Sequence, residues 1–101
     1  MSITFDNEKK YLAAKKKGKV VVKFTAEWCG PCKEFEKTYE DFADEFDDIT
    51  FISIDIDEYD GWKDVKGISQ VPTFKFIRNG KEVDSFTGAK KSPIRKLLSN
   101  L

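Results

Sequence analysis

The β-branched run Val20-Val21-Val22 extends to Thr25 and is followed closely by Trp28-Cys29-Gly30-Pro31-Cys32 and then by a stripe of aromatics. Phe35, Tyr39, Phe42 and Phe46 fall at steps of 4, 3 and 4, the spacing of one helical face. A continuous apolar run of this kind reads as a central strand buried on both faces. A chain that turns from such a strand directly into an amphipathic helix must lay that helix back on the sheet. Two thiols at the joint are then held between buried strand and helix start.

The flanking sequence extends the pattern. Ser2–Phe5 reads as a short strand. Asn7 is a candidate cap for a helix to about Lys17, with Tyr11 and Leu12 inward and Gly18 as its stop. The aromatic helix is expected from Cys32 to about Phe46, followed by a strand at Thr50–Ile56 and a short helix at Tyr59–Val65. Strands at Thr73–Arg78 and Lys81–Thr87 flank Asn79-Gly80, a pair suited to a tight hairpin. Ser92-Pro93 reads as the cap and first position of a last helix, with Ile94, Leu97, Leu98 and Leu101 inward. The order β-α-β-α-β-α-β-β-α predicts an α/β fold: a central mixed five-stranded sheet flanked by four helices.

Composition narrows the function. The 101 residues suit a single domain, 1–101, with one core. Nine Phe and 40% hydrophobic residues are incompatible with a disordered chain. Lys plus Arg and Asp plus Glu are each 18, which argues against a nucleic-acid binder led by phosphate contacts. The balance hides a polarity: residues 1–30 carry net +4, residues 31–64 net −10 and residues 65–101 net +6. Solvated helix faces account for this, and a surface that orients a partner would too. Met1 to Lys10 has no apolar core of signal-peptide length, and no stretch approaches the ~20 apolar residues of a membrane span. The expectation is a soluble, cytoplasmic protein.

No histidine is present, which removes His-based triads and dyads and most catalytic zinc sites. Cys29 and Cys32 are the only cysteines. They are too few for a disulfide-dense secreted scaffold, and without a third Cys or any His they do not make a zinc site, so no metal is expected. A structural staple is the remaining rival, though Gly-Pro between the thiols suits it poorly. At a helix start, unpaired N–H groups and the helix dipole favour an anion, so a cysteine there gains thiolate character and reactivity. Gly30 leaves room beside the sulfur, and Pro31 has no N–H to lose in a first turn. Trp28 offers a flat contact surface. These residues favour a redox pair.

Trp28-Cys29-Gly30-Pro31-Cys32-Lys33 resembles the active-site signature of thioredoxins, and the resemblance spans nearly the whole chain. Val20–Phe24 is similar to that family's central strand, Val71-Pro72-Thr73 to its cis-proline loop, Asn79-Gly80 to its hairpin and Phe86-Thr87-Gly88-Ala89 to the bend before its last helix. The spacing resembles the cytosolic eukaryotic type. The resemblance implies a protein-disulfide reductase of thioredoxin fold. In it Cys29 is the exposed nucleophile and Cys32 the buried resolving thiol. It also implies a cis Val71–Pro72 bond, and an apolar docking rim of Trp28, Gly30, Pro31, Val71, Pro72, Gly88 and Ala89. Asp57 would accept a hydrogen bond from the Trp28 indole. No bound cofactor is implied. Electrons would come from NADPH through a flavoprotein thioredoxin reductase, serving electron transport and redox homeostasis. Implied targets are peroxiredoxins, methionine sulfoxide reductases and ribonucleotide reductase, reached by a monomer.

Lys23 departs from the family pattern, which has a buried aspartate at that place beneath the resolving cysteine. A snorkelling lysine would keep its ammonium in water. A buried one would have its pKa lowered, and would act on the Cys32 thiol as a base or a neighbouring charge. The latter predicts a less reducing disulfide than in ordinary thioredoxins. A thioredoxin-like binding module, whose main role is partner binding, is the alternative reading. A domain resembling protein disulfide isomerase is less well matched by Gly-Pro between the cysteines.

Overall fold

A computed structural model of residues 1–101 contains nine elements. In chain order they are β1 (Ile3–Thr4), α1 (Glu8–Lys15), β2 (Lys19–Thr25), α2 (Gly30–Glu45), β3 (Ile49–Asp55), α3 (Lys63–Lys66), β4 (Thr73–Arg78), β5 (Lys81–Thr87) and α4 (Lys91–Asn100). The strands form one mixed sheet in the order β1-β3-β2-β4-β5. β1 and β2 run parallel to β3, whereas β4 runs antiparallel to both β2 and β5.

The alternation along β2 sorts the core. Val21 points to a face covered by Phe35, Tyr39 and Phe42 of α2 and by Ile94 and Leu98 of α4. Val20, Val22 and Phe24 point to the other face, with Tyr11 of α1 and Val65 of α3. Each fully buried Val or Phe contributes about 1.5–3 kcal/mol by leaving water, which is why so short a chain holds together around this strand. Register places the chemistry. Thr25 pairs with Asp55, Phe24 with Thr73, and Thr73 with Thr87. The end of β2, the end of β3, the loop before β4 and the bend after β5 therefore meet at one end of the sheet.

Several boundaries differ from the sequence expectation. α1 is capped by Asn7, whose side chain accepts from the Lys10 N–H at 3.1 Å. It ends two residues early, at Lys15, ahead of Gly18 at φ +65°. α2 starts at Gly30, not Cys32, because the sulfur of Cys29 serves as the cap acceptor for the Cys32 N–H and Pro31 fits the first turn. α3 lies at Lys63–Lys66, not Tyr59–Val65. The Tyr59 ring instead stacks on Trp62 with centroids 4.3 Å apart, in turns that precede the helix. Ser92 does not cap α4: the cap is Lys90, extended and without a side-chain bond, so Ser92 and Pro93 sit inside the first turn. Asn79 and Gly80 take φ of 52° and 84°, as a tight hairpin requires.

Candidate active site

Cys29 and Cys32 are joined by a disulfide whose Cα atoms lie 5.2 Å apart. The sharp exit from β2 through Ala26 puts Cys29 at the cap of α2 and Cys32 in its first turn. The Cys32 N–H reaches the Cys29 sulfur at 3.1 Å, and the Lys33 N–H reaches the Cys29 carbonyl at 3.2 Å. The second bond is the first regular bond of the helix, whereas the Cys32 N–H is an orphan donor of the helix start turned towards the sulfur, an arrangement that favours negative charge there.

The pair sits in a small apolar cluster with Ala26, against Ile56 and Val71. The expected exposed nucleophile is therefore corrected: Cys29 is only 4% exposed, against 0% for Cys32. The cause is the loop opposite. The Val71–Pro72 bond is cis, and the Val71 carbonyl oxygen lies 3.7 Å from the Cys29 sulfur. In the disulfide this sulfur carries no hydrogen, so the approach is a packing contact. Pro72 also departs from the expected rim, because it is buried, whereas Val71 is half-buried. Gly88, at φ +119°, donates its N–H to the Pro72 carbonyl at 2.9 Å, and the half-buried Ala89 after it packs against the core beneath α2 and α4. Gly30 and Pro31, between the two cysteines, are exposed.

Trp28 is 69% exposed, an unusual position for so large an apolar ring. Its Nε1–H donates to Asp57 across 2.7 Å. Asp57 is itself held in a turn at the end of β3, where the Asp55 carboxylate accepts the N–H groups of Asp57 at 2.8 Å and Glu58 at 3.1 Å.

Lys23 is buried, with the residue 3% exposed, so its ammonium does not stand in bulk water. It shares the α2 face of β2 with Val21, and its Nζ lies 4.5 Å from the centre of the Tyr39 ring. It joins none of the structure's ion pairs. Burial lowers its pKa from the usual lysine range, while Glu36 and Glu40 pull it back up. Burial likewise holds the Tyr39 phenol un-ionised, its hydroxyl donating to Ile52 O at 2.8 Å and Val21 O at 3.3 Å.

Three residues around Lys23 escape the sequence reading: Tyr39, Glu36 and Glu40. Tyr39 registers there only as a core aromatic. The spacing of Glu36 and Glu40, three before and one after it on α2, was the available signal. No three His, Cys, Asp or Glu side chains gather as metal ligands. No helix is long and apolar enough to cross a membrane.

The family model described as Thioredoxin matches residues 2–100 of this chain. Thioredoxin-3 of Dictyostelium discoideum is 42% identical over 80 residues, which cover 79% of this chain and 77% of that protein. The thioredoxin of Gallus gallus is 39% identical over 82 residues, covering 81% and 78% respectively. Among solved structures, Plasmodium falciparum thioredoxin superposes with a TM-score of 0.89 at 32% identity, covering 96% of both chains. Fasciola hepatica thioredoxin does so with a TM-score of 0.85 at 32% identity, covering 99% of this chain and 98% of that one.

Proposed function

The chain belongs to the thioredoxin family and is a thiol–disulfide oxidoreductase; on that premise we propose that it reduces protein disulfides with Cys29 as attacking thiol and Cys32 as resolving thiol. The observation that carries the assignment of roles is the helix cap: Cys29 holds the position towards which the Cys32 N–H points, whereas Cys32 is wholly buried.

In the reduced protein the Cys29 thiolate attacks one sulfur of a target disulfide. The target S–S bond breaks, its other sulfur leaves as a thiolate and takes a proton, and a Cys29–target disulfide forms. Cys32 then loses its proton and attacks the Cys29 sulfur. The second target sulfur leaves and is protonated. The target has gained two electrons and two protons, and the chain ends as the Cys29–Cys32 disulfide. The helix start supports the Cys29 thiolate, as dipole and N–H donors do at such positions.

An extended target would lie across Trp28, Gly30 and Pro31 on one side and Val71, Gly88 and Ala89 on the other. Pro72 supports this surface from beneath, and Asp57 holds the Trp28 indole in place. Reduction of the spent disulfide would draw on NADPH through a flavoprotein thioredoxin reductase, in the cytoplasm. The protein would act as a monomer of one domain, 1–101, on targets such as peroxiredoxins, methionine sulfoxide reductases and ribonucleotide reductase. Lys23, as a positive charge in the interior, would favour the dithiol form and make the pair less reducing than in ordinary thioredoxins. A glutathione titration of the unaltered chain and Lys23→Asp tests that point: an equal potential in the two would discard it.

The test of the main assignment is insulin reduction by dithiothreitol. The unaltered chain accelerates precipitation, and Cys29→Ser leaves only the rate of dithiothreitol alone. Full activity in Cys29→Ser would overturn the assignment.

A further inference from the structure

Lys23 is the only lysine of the chain that is buried, and it lines a cavity of about 430 Å³. A buried ammonium without an anionic partner carries a desolvation cost. The face of the Tyr39 ring, 4.5 Å from Nζ, offsets part of it. The ionisable groups around the cavity besides Lys23 are Lys33, Glu36, Lys37 and Glu40 from α2, Asp55 from β3 and Glu27 from the loop between β2 and α2. β1 contributes Thr4, and just before it the Ser2 N–H and hydroxyl both bind the Glu40 carboxylate. The walls thus carry four carboxylates against two surface ammonium groups, a field that disfavours an anionic visitor.

We propose that Lys23 is an amine acylation site, reached through this cavity by small uncharged acyl donors such as short acyl esters and thioesters. The Lys23 nitrogen attacks the donor carbonyl and forms a C–N bond. The donor C–O or C–S bond breaks, and the alcohol or thiol leaves. The proton lost from nitrogen passes to the leaving group or to water. No oxidation state changes and no further reactant is needed. The product is a neutral amide, so the desolvation cost of the buried charge disappears, and the cavity has room for a two-carbon acyl group. Burial already lowers the proton affinity of this amine, so more of it is neutral near pH 7 than of an exposed lysine.

The labelling does not pass through the thiols, so it fails or succeeds independently of the disulfide-reductase assignment. The disulfide form is treated with limiting p-nitrophenyl acetate, at about pH 7.5 and about pH 10, and each lysine is quantified by peptide mass spectrometry. Lys23 is expected to be acetylated in the folded protein. Its label relative to exposed lysines should be at least about threefold higher at the lower pH, because exposed amines become neutral only as the pH rises. Acetyl phosphate, an anionic donor, should label exposed lysines and favour Lys23 less than the ester does. Glu40→Gln removes a carboxylate that favours the ammonium, and should raise Lys23 labelling at the lower pH. A Lys23 that is labelled only after denaturation, whose relative label rises with pH, or that is preferred by acetyl phosphate would overturn the proposal. So would unchanged or reduced labelling in folded Glu40→Gln.

Discussion

The Trp28 indole N–H is bonded to Asp57 at 2.7 Å, linking the loop before α2 to the end of β3. The bond fixes the plane of a ring that is mostly in water. Asp57→Ala should lower kcat/KM for insulin reduction roughly threefold to tenfold by freeing that ring, since an exposed polar contact governs orientation more than stability. Thermal midpoint should move by no more than about 3 °C. An unaltered kcat/KM would show that the ring needs no such anchor.

Cys32→Ser separates the two halves of the exchange. Cys29 can still attack a target, but nothing resolves the product. A covalent adduct with a disulfide-containing protein should accumulate on a non-reducing gel and vanish with reductant. Cys29→Ser should give no such adduct. The reverse pattern would exchange the roles of the two thiols.

Lys23 has a consequence for stability as well as chemistry. Its folded-state pKa is lowered by burial, so in the window between that value and the usual lysine range the unfolded chain binds more protons. Stability attributable to Lys23 is therefore present above the unfolded pKa and is lost as pH falls through the folded one. Lys23→Met, which keeps the length and removes the charge, should be more stable than the unaltered chain near pH 7. The gain should shrink as pH approaches the lysine range. Urea unfolding of both proteins at several pH values measures the difference; a gain independent of pH would contradict the assignment.

Asp64 ties α3 to α1, accepting from Tyr11 at 2.7 Å and from Lys15 at 2.6 Å. Burial opposes its ionisation, but the two hydrogen bonds and the nearby positive charges of Lys15 and Lys75 together outweigh burial, and its pKa falls below the ordinary carboxylate value. Asp64→Asn should cost about 1 kcal/mol at neutral pH, a figure kept small because the pair is partly open to solvent. The sign follows from linkage: the contribution is complete above the unfolded carboxylate pKa and is lost as pH falls through the folded one. Denaturant midpoints of the two proteins should therefore converge in acid, and a constant gap would argue for a packing effect.

Where periodicity was strong, the sequence and the structure agree. The steps from Phe35 to Phe46 fixed the inward face of α2, and the β-branched run at Val20 fixed the centre of the sheet. Helix starts were less legible. At α2 the cap is a cysteine sulfur, a role normally filled by an oxygen, so the helix begins two residues before the point that propensity indicated. At α4 the Ser92-Pro93 pair mimics a cap signal, yet the helix begins at Lys91. The surroundings of Lys23 were illegible for another reason. Local pattern assigns Tyr39 to the core, and only the packing of α2 over β2 shows that the core at that point is a ring face under an ammonium.

The two edges of the sheet bear on self-association. β1 offers only Ile3 and Thr4 for pairing, and the residue before them is fastened back onto α2 through Glu40. β5 presents Lys81, Glu82 and Asp84, and its pairing with β4 is interrupted by an irregularity between Phe76 and Ile77. Short edges, charged edges and bulged edges all make poor templates for a foreign strand. A sheet with so apolar a centre is thus guarded on both flanks against growing into a fibre.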